Sequence, residues 1–254
     1  MAHLIGLELK KLAKPVLVTL IGLTMLTCIL SCTLYREYSV FFDIDAWEIG
    51  TEFLGLLFPL FVTIPVCWEL YYERRNRFLV YTLPRVGKRA YLGAKWWACA
   101  LSAFFILFIP FFFSALCALF LTGPKDFMPV GEGYHHIFHT LYTQTPLLYA
   151  FLLSLWKGVI GVLVMGLGFA LSLYSGNIFV ILTGPFVYAI LENFILAILD
   201  LPEFRLVTAF EPTSLSATIV NAGSFLVGPL LLCCVTALVV LFFQKGKHRA
   251  VYPI

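Results

Sequence analysis

The chain has 254 residues, of which 61% are hydrophobic and only 12% charged, with a mean hydropathy of +0.95. Soluble domains carry roughly 45–50% apolar and about 25% charged residues, so this composition excludes an ordinary globular enzyme and predicts a polytopic membrane protein. A net charge of +3 is too small to imply nucleic acid as a partner, and the information lies in where the charges fall.

Residues His3 to Lys14 read as an amphipathic helix lying on the membrane, with Ile5, Leu9 and Leu12 on one side and Lys10, Lys11 and Lys14 on the other. Pro15 is expected to turn the chain into the bilayer, and the first span covers about residues 16–35. Its apolar run, Val16 to Leu34, has 19 residues and no Ala-x-Ala site after it, so it reads as a retained span rather than a cleaved signal. From Arg36 to Glu52 the acids Glu37, Asp43, Asp45, Glu48 and Glu52 face a single base, which places this loop outside, with Phe41, Phe42, Ile44 and Trp47 expected at the lipid interface. The second span covers about residues 53–72.

Glu69 to Lys95 is the one long polar stretch. Arg74, Arg75, Arg77, Arg85, Lys88, Arg89 and Lys95 follow one another with no acid between them, and the positive-inside rule puts this loop in the cytoplasm. Within it, Arg77 to Leu83 predicts a short helix that Pro84 stops. Such a helix under the membrane suits docking of a soluble partner; the plainer reading is a solvated basic loop that only sets topology.

Trp96 and Trp97 form an aromatic belt where the third span, about 97–121, begins. Its phenylalanines, Phe104, Phe105, Phe108, Phe111, Phe112 and Phe113, cannot all face one way on a 3.6-residue period, which favours packing and lipid contact over a lined pathway. The second outer connection holds Gly123-Pro124, Gly131, Gly133 and the group His135, His136 and His139. No nearby cysteine or closely spaced acid completes a metal site there, so no metal is expected. The apolar stretch 147–173 exceeds one crossing and contains Lys157. A lysine tolerates the outer surface better than the bilayer centre, so the fourth span is set at about 157–174, with Leu147 to Trp156 shallow or re-entrant.

After the inner turn Tyr174-Ser175-Gly176-Asn177, the fifth span covers about 178–199 and carries Glu192 and Asn193. At about 1.5 Å per residue, Glu192 lies roughly 21 Å beyond Ile178 and Lys157 roughly 26 Å from Tyr174. Lys157 and Glu192 are therefore expected to meet across spans four and five, as a polar spot on a substrate path or as a structural ion pair. Asp200 to Ala222 is a third outer connection with short re-entrant helices, the sixth span covers about 223–243, and Lys245, Lys247 and Arg249 form a basic tail.

Six spans with both termini cytoplasmic is the arrangement that puts most of the 17 basic residues inside. The seven cysteines all fall in apolar runs without redox or metal-ligand spacing and read as small hydrophobes. Gly87-Lys88 lacks the upstream glycine of a phosphate loop, and neither His-Glu-x-x-His nor Gly-x-Ser-x-Gly occurs. No catalytic residue is therefore assigned, and any energy source belongs to another chain.

In this layout the sequence resembles the type-2 ABC transporter permeases, the membrane subunits of bacterial drug, bacteriocin and polysaccharide exporters. The resemblance is carried by a basic helix with a Glu followed by lysines (Glu8, Lys10, Lys11), by six spans, and by the loop order Glu73, Phe78 to Leu83, Pro84, Arg85 or Lys88, and Lys95. Asn76-Arg77 stands where many members carry Gly-Thr. The resemblance implies an all-α permease of six transmembrane helices in a bacterial cytoplasmic membrane, with an amphipathic elbow helix at 3–14 and a cytoplasmic coupling helix. It implies a dimer with itself or a homologous subunit, and docking to a separate ATPase through Glu73, Arg77, Phe78, Leu79, Tyr81 and Leu83. ATP and magnesium would bind that ATPase, not this chain, and an amphipathic or hydrophobic substrate such as an antimicrobial peptide or drug would be exported. The alternative is a scaffold or sensor that recruits a cytoplasmic partner through residues 73–95 without transport. For an intramembrane enzyme, Glu192 with His139 is the sole candidate.

Overall fold

Six helices are long and apolar enough to cross a membrane. The computed structural model describes residues 2–122 and 136–245, and these are 86% helical with no strand, so backbone polar groups are satisfied within each segment as hydrocarbon requires. The glycines of the second connection, His135, Lys247 and Arg249 lie outside the described residues.

The long helices are α1 (Ala2–Ile29, continued by a π turn over Leu30–Leu34), α3 (Leu54–Arg75), α5 (Lys88–Phe120), α7 (Pro146–Tyr174), α8 (Ile178–Ile198) and α10 (Ala222–Lys245). Four short ones, α2 (Asp45–Glu52), α4 (Phe78–Val86), α6 (His139–Gln144) and α9 (Leu206–Phe210), occupy the connections. Because the long helices alternate in direction, α4 lies at one end, the basic end, and α2, α6 and α9 gather at the other, acidic end.

Helix α5 packs between α1 and α7, and α3 packs on α7 and α8. The α5–α7 approach depends on glycine: a Cβ at Gly158 or Gly161 would come within 2.8 Å of the Phe104 or Leu107 side chain. The phenylalanines of α5 divide by helical period. Phe104, Phe108 and Phe112 stack in a row at centroid distances of 5.4 and 5.7 Å, Phe111 is fully buried on another face, and Phe105 and Phe113 are exposed.

The helices run further than the sequence predicts. Pro15 lies inside α1, so no turn separates residues 3–14 from the first span; a proline removes only its own N–H, and buried Glu8 holds this part of α1 in the bundle. Helix α5 begins at Lys88 instead of residue 97, and α7 is one 29-residue helix opened by Pro146, with Leu147 to Trp156 as its first turns rather than a separate re-entrant piece. At roughly 44 Å, α7 exceeds the ~30 Å hydrocarbon core and projects beyond it. Ile44 and Trp47 are buried instead of interfacial, because Trp47 Nε1 donates to the Phe111 carbonyl at 2.9 Å and draws α2 onto α5.

At the acidic end, α10 crosses the start of α9 so closely that a Cβ on Gly228 would lie 2.7 Å from Leu206 N and 2.8 Å from Leu206 Cα. Backbone cannot yield as a side-chain tip does. Gly228→Ala is expected to cost about 1–3 kcal/mol and to lower the melting temperature in detergent, whereas Gly166→Ala, which opens onto free space inside a helix, is expected to hold or raise it.

Candidate functional site

Polar side chains buried in this apolar bundle gather at its two ends. At the basic end, Glu69 and Glu73 are four residues apart on one face of α3, and Tyr91 and Lys95 share a face of α5 in the same way. Glu8 reaches them from α1. The fully buried Lys95 ammonium lies 2.9 Å from Glu8 Oε2, 2.6 Å from Glu73 Oε2 and 3.4 Å from Glu69 Oε2. Tyr91 Oη donates to Glu73 Oε2 at 2.6 Å, and Lys11 Nζ donates to Glu8 Oε1 at 2.6 Å and Glu73 Oε1 at 3.1 Å. The three carboxylates are close enough together to offer oxygens to a metal ion, but Lys95 already provides the cation they share.

Helix α4 is bounded by Arg77 (φ 57°) and Gly87 (φ 85°), two left-handed residues that turn the chain sharply on either side. Pro84 does not stop it; the helix runs on to Val86, and the Gly87 N–H donates to the Leu83 carbonyl at 2.9 Å. The residues named for docking divide between two faces. Tyr81 is 72% and Phe78 44% exposed, and Arg77 is exposed, while Leu83 is half-buried and Leu79 is buried as the anchor of α4 to the bundle. Glu73 is turned into the ion cluster, away from that exposed face, because Lys95, Tyr91 and Lys11 hold it. Lys11 also stands 5.3 Å over the Phe78 ring, so α4 touches the cluster through one side chain. Nearby, Arg74 closes the C-terminus of α7 by donating to the Ser172 carbonyl and, at 3.3 Å, to the Ser175 carbonyl.

At the acidic end, the expected meeting of Lys157 and Glu192 does not occur. Lys157 Nζ pairs with Glu211 Oε2 at 2.5 Å, inside a cage formed by the rings of Phe111, Phe210 and Trp47 at 4.3, 5.1 and 5.2 Å. Glu192 instead accepts the Leu206 N–H with both oxygens, at 3.0 and 3.1 Å, and so caps the first turn of α9; Asn193 is half-buried beside it. The segment after α8 folds back into the bundle and supplies a partner to each residue. Burial pushes the Glu211 carboxyl above its usual range, against the pull of the Lys157 ammonium.

Around this pair, Glu48 accepts from Tyr149 Oη at 2.5 Å and lies 3.3 Å from His136 Nε2, while Asp45 accepts from Tyr142 Oη and from the N–H groups of Phe41 and Phe42 at 2.9 Å. His136 stacks on Tyr142 at 3.8 Å. It thus serves a packed tyrosine–carboxylate network, and His139 opens α6. Beside the network is an apolar pocket of about 210 Å³, lined by Phe138, Leu141, Tyr149, Leu152, Trp156 and Phe225 among others. Asp45, Glu48 and Glu211 were not legible as buried groups; the apolar residues interleaved among them, Trp47 and Phe210, were the available signal.

The fold defines a multi-pass, all-helical membrane protein with a buried ion network at each end of its bundle. Compared with protein-family models, with curated proteins and with solved structures, the chain finds no match.

Removing one member of a buried pair leaves the other charge unpaired. Lys95→Met is therefore expected to lose on the order of 3–5 kcal/mol, read as a lowered melting temperature. At the acidic end, Lys157→Met and Glu211→Gln are each expected to destabilise, and the double variant to recover most of the loss. A Glu192→Gln change, which keeps an acceptor for Leu206 N–H, is expected to be mild; strong coupling of Lys157 to Glu192 in a double-mutant cycle would contradict the geometry.

Proposed function

We propose that this chain is the membrane-spanning permease subunit of an ATP-driven exporter of the type-2 ABC kind, with α4 as its coupling helix. The observation that carries the reading is the contact of Lys11 with the Phe78 ring while the same ammonium bonds Glu8 and Glu73. A partner that grips the exposed Phe78, Tyr81 and Arg77 would thereby pull on a cluster joining α1, α3 and α5.

In this reading the basic end faces the cytoplasm of a bacterial cell, both termini lie there, and ATP with magnesium is hydrolysed by a separate ATPase subunit. Trp47, Phe58, Phe111 and Phe210 fill the bundle interior, so the substrate path runs between two copies or between this chain and a homologous subunit. The apolar pocket at the acidic end suits the hydrocarbon part of an amphipathic substrate such as an antimicrobial peptide or drug. Lys157 and Glu192 act through the architecture of that end, each bound to the segment that closes it.

Purification from native membranes in mild detergent tests this. An ATPase chain, identified by mass spectrometry, is expected to co-elute with the wild type and to be lost with Tyr81→Arg, whose side chain is exposed and whose replacement leaves the melting temperature unchanged. Failure of any ATPase to be retained would favour a scaffold that uses α4 for another cytoplasmic partner.

A further inference from the structure

The fold brings together two cysteines that the sequence leaves unrelated. Cys28 on α1 and Cys117 on α5 are 89 residues apart, yet their Sγ atoms are 3.8 Å from each other and both residues are half-buried. Cys117 lies three residues before Phe120, the end of α5, which is roughly 5 Å along the axis. Cys28 stands just before the π turn Leu30–Leu34, against which α2 is seated so closely that a Cβ on Gly50 would meet Ser31 N at 3.2 Å. The two thiols therefore face each other at the acidic end of the bundle. The remaining cysteines differ in placement: Cys67 and Cys99 are buried toward the basic end, Cys233 and Cys234 are exposed on α10, and Cys32 follows Cys28 by one turn.

We propose that Cys28 and Cys117 form a disulfide-forming pair, a modification site that clamps the first and third spans together at the acidic end. A disulfide has an S–S length of ~2.05 Å, so the sulfurs need to close by roughly 1.8 Å. The oxidant is a small-molecule disulfide. One cysteine thiolate attacks it, forming a mixed disulfide and releasing one thiolate; the second cysteine attacks the mixed disulfide and releases the other. The two protein sulfurs lose two electrons and two protons, and the small disulfide gains both as two thiols. On the sidedness proposed above, this end faces the outside, the compartment in which disulfides persist.

The test uses the full chain in native membranes. Treatment with dithiodipyridine, a membrane-permeant aromatic disulfide, is followed by alkylation with N-ethylmaleimide, digestion without reductant and mass spectrometry. The expected result is a Cys28–Cys117 linked peptide that disappears with dithiothreitol, together with a melting temperature that rises on oxidation in the wild type but not in Cys117→Ser. Full alkylation of both thiols after oxidation, or a link from Cys117 to Cys32 instead, overturns the proposal. The wild-type digest decides the matter even if the serine variant folds poorly. Oxidised glutathione added outside intact cells tests the side separately: a link formed there supports the outward placement of this end, and a link formed by dithiodipyridine alone keeps the pair without that support.

Discussion

Lys157 holds its ammonium between one carboxylate and three aromatic rings, with no part of the residue exposed. An isolated ammonium in an apolar interior carries a desolvation penalty of several kcal/mol, so the position is tenable only with Glu211 against it. That requirement organises the acidic end. Glu211 lies beyond α8, and bringing it to α7 folds residues 206–212 into the bundle, where α9 packs against α10 and Glu192 caps its first turn. Trp156 Nε1 adds a bond to the Ala209 carbonyl at 3.0 Å. Trp47, one wall of the cage, ties the connection between α1 and α3 to α5 in the same way.

The basic end solves the same problem differently. Three carboxylates share Lys95, and Lys11 joins them from the more exposed side. The acidic-end network is closed by aromatic rings, whereas the basic-end network is open to α4 through the Phe78 ring. This asymmetry bears on the coupling role proposed for α4. A network sealed in aromatic side chains sets the shape of its end, while one that reaches an exposed helix can take up a displacement imposed from outside the membrane. Leu79, buried beneath α4, ties that helix to the bundle.

The cross-links between helices act at different depths. The ion cluster joins α1, α3 and α5 at the basic end, the close contact at Gly158 and Gly161 joins α5 to α7 in between, and the thiols of Cys28 and Cys117 face each other between α1 and α5 at the acidic end. Helix α5 takes part in each. A change in the position of α5 relative to α1 is therefore constrained by charge at the basic end, and the proposed disulfide would constrain it at the other.

The number of crossing helices followed from the sequence itself, because hydrocarbon accepts only long apolar segments whose backbone groups bond internally, and each such run stands out between polar stretches. The short helix between α3 and α5 was legible too, since Pro84 punctuates a basic loop, although the helix runs past the proline to Val86. Partnerships were a different matter. Depth along a helix placed Lys157 and Glu192 at similar levels, but rise per residue says nothing about the rotation of a side chain around its helix or about what a connecting loop brings in. Glu211, Asp45 and Glu48 read as loop acids because charged residues between spans are normally solvated. Tertiary packing buried them, since Tyr142, Tyr149 and Lys157, which satisfy them, come from segments far away in the chain. Cys28 and Cys117 show the same limit: a separation of 89 residues carries no pairing signal, and only the packing of α1 on α5 set their sulfurs face to face.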